Sequence, residues 1–190
     1  MKKIKILFTS AVLLLIGIAC NACSSASGQA SFAWLGENGG TYWYVPPQYL
    51  TAIQWPTSNP SGYTAVSDQT VWHIERYENG YIFGPVTAQF TGYPPTCQYL
   101  IGSITPSGQV YISFTSTQDI PIGNPSITTG LGIFEQQAGL YAFTMQMASG
   151  SSSTQISHWA SMLQCSPGDP CWGNLPGVNE SIPDFLANCN

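Results

Sequence analysis

The sequence predicts an all-β protein, an antiparallel meander that closes into a small up-and-down barrel with a short C-terminal helix. Three observations predict it. Apolar and polar residues alternate through several runs rich in β-branched and aromatic side chains. Short turn signals separate those runs. Of the 190 residues, 44% are apolar, 13% aromatic and only 7% charged, so the chain can fill a core. A β-sandwich is the alternative way to hide the edges of so long a meander.

The elements follow in chain order. Gly36 to Gly40 is a turn cluster, and Tyr42 to Val45 reads as a short strand stopped by Pro46-Pro47. Thr57 to Gly62 is a loop. From Val71 to Tyr77, Val71, His73, Glu75 and Tyr77 alternate with Trp72, Ile74 and Arg76. Asn79-Gly80 then separates this run from Tyr81-Ile82-Phe83. That dipeptide is a strong hairpin signal, because a type I′ turn needs positive φ at both central residues. Val86 to Phe90, Tyr99 to Ile104, Val110 to Thr115, Ile127 to Gln136 and Leu140 to Met147 follow as strands. The turns between them include Thr105 to Gly108, a Pro-Gly loop at Ile120 to Pro125, and Ala138-Gly139. Thr154 to Gln164 fits strand or helix; a closing strand would complete the barrel. Ser181 to Asn188 reads as a helix, with Ser181 as its cap and Pro183 in its first turn. The expected architecture is calycin-like, broadly that of lipocalins and avidins, without a lipocalin Gly-x-Trp signature.

Charge excludes several partners. The chain has four Lys and Arg against nine Asp and Glu. Three of the four cations are Lys2, Lys3 and Lys5. Without that N-terminal segment, Arg76 alone faces nine acids, a formal net charge of −8. A nucleic-acid binder that neutralises phosphates is excluded, as is a polybasic membrane-surface module.

The basic start and the apolar run Ile6 to Ile18 form a secretory n-region and h-region, too short to span a bilayer. Small residues then lead into Cys20 and Cys23. This resembles the signal of a bacterial lipoprotein, which implies lipidation at Cys20 or Cys23 and a place in the periplasm or at the outer membrane or cell surface. The alternative is ordinary cleavage after Ala22 or Ala26 and secretion. Residues 1–23 are thus expected as signal peptide with cleavage near 19–26, 24–40 as tether and loop, and 41–190 as one β domain. A lipid anchor is the expected membrane attachment.

Four cysteines remain, Cys97, Cys165, Cys171 and Cys189. An even number in an exported domain reads as two disulfides. Cys165 and Cys171 flank a turn-rich loop, which pairs them and leaves Cys97 with Cys189; the alternative pairs Cys171 with Cys189 and Cys97 with Cys165. Without CxxC spacing, the cysteines do not read as a zinc site, and no metal or cofactor is expected.

Candidate site residues are few. His73 and Glu75 share a strand face with Tyr77, and Arg76 lies beside them. Together they are candidate ligand contacts, as are Trp43 and Trp55 from an aromatic-rich N-terminal stretch. Nucleophile elbow, HExxH, P-loop and dinucleotide motifs are missing, so no catalytic residue is assigned. The expected function is an exported envelope protein of binding or structural type, whose partner is a neutral or apolar small molecule, a glycan or an envelope protein. The alternative is a hydrolase-type or metal-dependent enzyme built on His73, Glu75 and His158.

Overall fold

The structure, a computed structural model, describes residues 32–59, 61–116, 127–137 and 139–189. The expected signal segment with Cys20 and Cys23, the loop Ile120 to Pro125 and Ala138 lie outside the described residues.

Ten strands form one closed antiparallel sheet. They are β1 (Thr41–Tyr44), β2 (Thr51–Pro56), β3 (Thr64–Ile74), β4 (Arg76–Glu78), β5 (Tyr81–Phe90), β6 (Thr96–Ile104), β7 (Gln109–Ser116), β8 (Ile127–Gln137), β9 (Leu140–Gly150) and β10 (Thr154–Cys165). Two short helices close the chain, α1 (Pro170–Gly173) and α2 (Ile182–Ala187). The strands occupy eight positions. β1 and β2 both lie between β3 and β10, as one interrupted strand. β4 continues β3 along β5 past a bulge at Glu75. Every position then pairs with its neighbour in chain order, and β10 returns to β1 and β2. This is the expected up-and-down barrel, and closure removes the open edges.

Local chemistry explains the turns. Asn79 and Gly80 have φ of 51° and 90°, the positive pair of a type I′ hairpin. At the bulge, a Cβ on Gly84 would collide with the His73 carbonyl oxygen, so only glycine lets β5 approach so closely. Ser181 Oγ accepts from the Asp184 amide at 3.1 Å, which caps α2 as its sequence implied. The ambiguous segment from Thr154 is a strand, whose inward side carries Ile156, His158, Ala160 and Met162. Two strands were less legible. β2 lies between a proline pair and a loop and was not anticipated. β3 begins at Thr64, seven residues before the clear alternation at Val71.

Inward parity builds the main core. Trp43, Trp72, Ile74, Val110, Ile112, Phe114, Phe143 and Met145 are buried in it. At one end of the barrel, Trp43, Phe134 and Phe143 pack with ring centroids 4.5–5.7 Å apart. The stretch expected as tether and loop includes a 3-10 turn, Ala33–Gly36. Its Trp34 packs on Trp43, Phe134 and Tyr141, and Thr41 Oγ1 donates to the Leu35 carbonyl at 2.8 Å. That end is therefore plugged. A second cluster lies on the outer face, where Leu175, Ile182 and Phe185 cover Val71, Tyr42 and Tyr44. Two disulfides hold the C-terminal segment, Cys97–Cys189 and Cys165–Cys171; this is the pairing that the sequence reading placed first.

Candidate functional site

The other end of the barrel is hollow. A cavity of about 150 Å³ lies between strands from nearly every position of the sheet. Its apolar lining includes Val45, Trp72, Phe90, Phe114, Met147 and Met162. A shallower depression at the mouth shares Phe90, Thr96, Ser149 and Ile156 with it, and is bounded further by Gln54, Tyr93 and Pro94.

Polar side chains enter from two sides. On β6, β8 and β9, Gln98 Nε2 donates to Thr128 Oγ1 at 3.4 Å, and the Thr128 and Ser149 hydroxyls are 3.0 Å apart. On β3 and β10, His158 Nδ1 lies 2.9 Å from Asp68 Oδ2, and Thr70 Oγ1 donates to Asp68 Oδ1 at 3.1 Å. His158 and Asp68 are both buried.

The interrupted first strand explains why the Asp68–His158 pair is there. Between β1 and β2 the chain leaves the ladder through a 3-10 turn, Pro47–Tyr49, so ladder partners are lost. Side chains replace them. His158 Nε2 contacts the Tyr49 carbonyl at 2.6 Å; a carbonyl only accepts, so Nε2 carries the proton. The Asp68 amide donates to the Leu50 carbonyl at 2.7 Å. Gln69 bridges the rest: its Oε1 accepts from the Val45 amide at 3.0 Å, and its Nε2 donates to the carbonyls of Val45 at 3.0 Å and Pro176 at 2.8 Å.

Burial pushes the His158 pKa down, but the hydrogen bond and charge of Asp68 and the Tyr49 carbonyl together outweigh it. The result is a value raised above 6.5. A protonated His158 donates from both ring nitrogens, one to the carboxylate and one to the carbonyl. Neither nitrogen then offers a lone pair to a substrate. The Asp68–His158 pair is formally neutral, and among the described residues no Lys or Arg lines the cavity.

Of the sequence candidates, the structure brings together only His73 and Glu75, and on the outer face. His73 sits on the outer face, its ring stacked on Tyr42 at 4.1 Å and its Nε2 2.8 Å from the Gly39 carbonyl. Its Nδ1 is 3.6 Å from Glu75, and both line an outer groove with Trp172 and Leu186. His158 lines the interior, so the barrel wall separates the two histidines and the His/Glu/His cluster does not form. Arg76 is exposed, 3.6 Å from Glu78 and over the Phe83 ring at 4.4 Å. Tyr77 packs against the core from the plugged end, and Trp43 is fully buried there. Trp55 Nε1 donates to Gln155 on the neighbouring strand at 3.1 Å. Among the described residues one cluster has metal-ligand composition, Cys165, Asp169 and Cys171; its cysteines form a disulfide and offer no thiolate.

Of the cavity residues, sequence reasoning named only His158 as a candidate. The parity of β3 was the available signal: Trp72 faces inward, so Thr70 and Asp68 do as well. The chain matches no protein-family model, no curated relative and no solved structure, so the function is argued from this site alone.

Proposed function

We propose that this is an exported binding protein that takes a compact, uncharged, largely apolar molecule into the open end of its barrel. One observation carries the reading: the barrel is plugged with aromatic rings at one end and hollow at the other. The hollow end has an apolar lining and a few convergent polar groups, the usual composition of a small-molecule site. Its size fits a ligand, or the leading part of one, with roughly six to ten non-hydrogen atoms, since an apolar cavity of similar volume holds benzene. A charged head would find no Lys or Arg in this wall, and Asp68 and His158 already satisfy each other. Hydrophobic burial therefore supplies most of the affinity and hydroxyl or amide contacts supply orientation. Two disulfides, and the lipoprotein-like or secretory N-terminus, support export to an oxidising compartment.

Melting curves with indole, acetophenone, benzoate and benzylamine test the reading. The two neutral compounds are expected to raise the midpoint and the two ions to leave it unchanged. Saturation at about a hundred times Kd stabilises by about 2.7 kcal/mol, which moves the midpoint of a domain of this size by roughly 5–10 °C. Ala160→Trp, which fills the cavity, should abolish the shift. A shift that persists in that variant, or no shift with any compound, overturns the reading.

A further inference from the structure

One row of side chains runs around the outside of the barrel over six strands. Tyr81 on β5 faces Ser103 on β6, which faces Tyr111 on β7. Tyr111 faces Leu131 on β8, Leu131 faces Gln146 on β9, and Gln146 faces Trp159 on β10. Residues in register share a face at contact distance. Strands lie about 4.8 Å apart, so the row is continuous over roughly 24 Å. Its four large members are half-exposed or more: Tyr81 54%, Tyr111 50%, Leu131 61% and Trp159 58%. Ile101 and Ile133 flank it and are also exposed. Inward residues of the same strands fill the barrel core, so the row is surplus to the fold.

Charge is distributed in the opposite sense. β6 to β10 are five consecutive strands whose only Asp, Glu, Lys or Arg is Glu135. Glu37, Glu75, Glu78, Asp169, Glu180 and Asp184 lie elsewhere, in turns, at β4 or in the C-terminal segment. The apolar outer surface formed by Tyr42, Tyr44 and Val71 is covered by the chain's own C-terminal segment. The wall of β6 to β9 has no such cover among the described residues.

We propose that this wall is the face on which a second copy of the chain packs, as an isologous dimer. The proposal does not depend on the ligand cavity. Two copies of a strongly acidic domain repel each other over most orientations, and the uncharged wall is where they meet with least repulsion. Among the described residues of these strands a charged partner meets only Glu135, whereas an uncharged apolar wall is complementary to itself. The closed barrel has no edge for strand addition, so association has to run through side chains on a face. On β6 to β9 the exposed parts of Ile101, Tyr111, Leu131 and Ile133 offer roughly 350 Å² of apolar area, and Tyr81 and Trp159 flank the wall on the adjoining strands. The Ser103, Ser113, Thr129 and Gln146 side chains among them and the flanking rings would have to supply the rest of the ~800 Å² per partner of a standard interface.

Residues 32–189 contain both core clusters of the described residues and both disulfides, so the oxidised 32–190 segment is the material for the test. Sedimentation velocity from about 1 to about 100 μM should show a monomer–dimer equilibrium. Leu131→Glu and Trp159→Glu should each weaken the dimer at least tenfold, and the milder Leu131→Asn and Trp159→Gln should act in the same direction. Thr64→Glu, the same charge placed outside the wall, should leave the dimer intact. A wild-type monomer at all concentrations, or a dimer indifferent to the row variants, overturns the proposal. So does a monomer that floats with phosphatidylcholine vesicles, which would assign the wall to a lipid surface instead.

Discussion

His158 and Asp68 meet inside the barrel, Nδ1 to Oδ2 at 2.9 Å, beside the point where the first strand leaves the sheet. One ring nitrogen of His158 holds the carboxylate and the other holds the Tyr49 carbonyl. The pair thus joins β10, β3 and the turn between β1 and β2 across a gap that the backbone bond from Asp68 to Leu50 closes only in part.

The first prediction concerns pH. The folded pKa of His158 is raised above 6.5, so the imidazolium stabilises the native state fully below about that pH. The stabilisation is lost as pH rises through the folded value. The melting midpoint should therefore fall as the pH is raised above about 6.5, and His158→Gln should flatten this part of the profile. A profile with the same slope in both proteins would show that His158 is not the titrating group. Removing the partner is harsher: Asp68→Asn leaves a buried cation unpaired and should cost about 3–5 kcal/mol, read from urea unfolding.

The second prediction concerns Gln69. Its side chain satisfies both backbone groups of Val45 and the Pro176 carbonyl. Gln69→Ala strands these groups away from water at about 1–3 kcal/mol each for those that find no new partner. We expect a loss of at least about 2 kcal/mol with an unchanged m-value. Gln69→Glu keeps the acceptor but sets an oxygen against the Val45 and Pro176 carbonyls in a buried site, and should cost at least as much as Gln69→Ala.

The third prediction separates the disulfides. Cys97–Cys189 closes 92 residues, whereas Cys165–Cys171 closes 6. In the chain-entropy account, removal costs about 4–5 kcal/mol for the first and about 2 kcal/mol for the second. Paired Cys→Ser variants compared by denaturant midpoint should keep that order. A larger loss from the shorter loop would mean that the second bridge acts by organising the packing around α1.

The fourth prediction concerns the cavity. Ala160 is buried in its wall. Ala160→Trp should cost about 1–3 kcal/mol through overpacking while the barrel stays folded. Near-ultraviolet circular dichroism should retain the native aromatic signal, and binding of neutral aromatics should be lost. A variant that keeps both the signal and the binding would place the ligand elsewhere.

Much of this protein was legible in local patterns. Alternation across Val110, Ile112 and Phe114, positive φ at Asn79-Gly80, and the cap at Ser181 are decided by residues near one another in the chain. They led to the all-β meander, its hairpins and the C-terminal helix. The pairing Cys97–Cys189 was one of three that four cysteines allow, and the fold selects it by bringing the C-terminal segment against β5 and β6.

The site was not legible, because it depends on which side of a closed wall each residue faces and what lies across the lumen. His73 and Glu75 share a face, as period-two geometry requires, but that face is the outer one. Asp68 and His158 are ninety residues apart and meet at an interruption that Pro46-Pro47 marked only as a strand end, since the resumption as β2 carried no local signal. The exposed row from Tyr81 to Trp159 exists only once the register of six strands is known. Sequence alone determined the elements, since periodicity and turn chemistry are local. The tertiary structure decided the cavity, the buried pair and the uncharged wall, since each arises from contacts between strands distant in the chain.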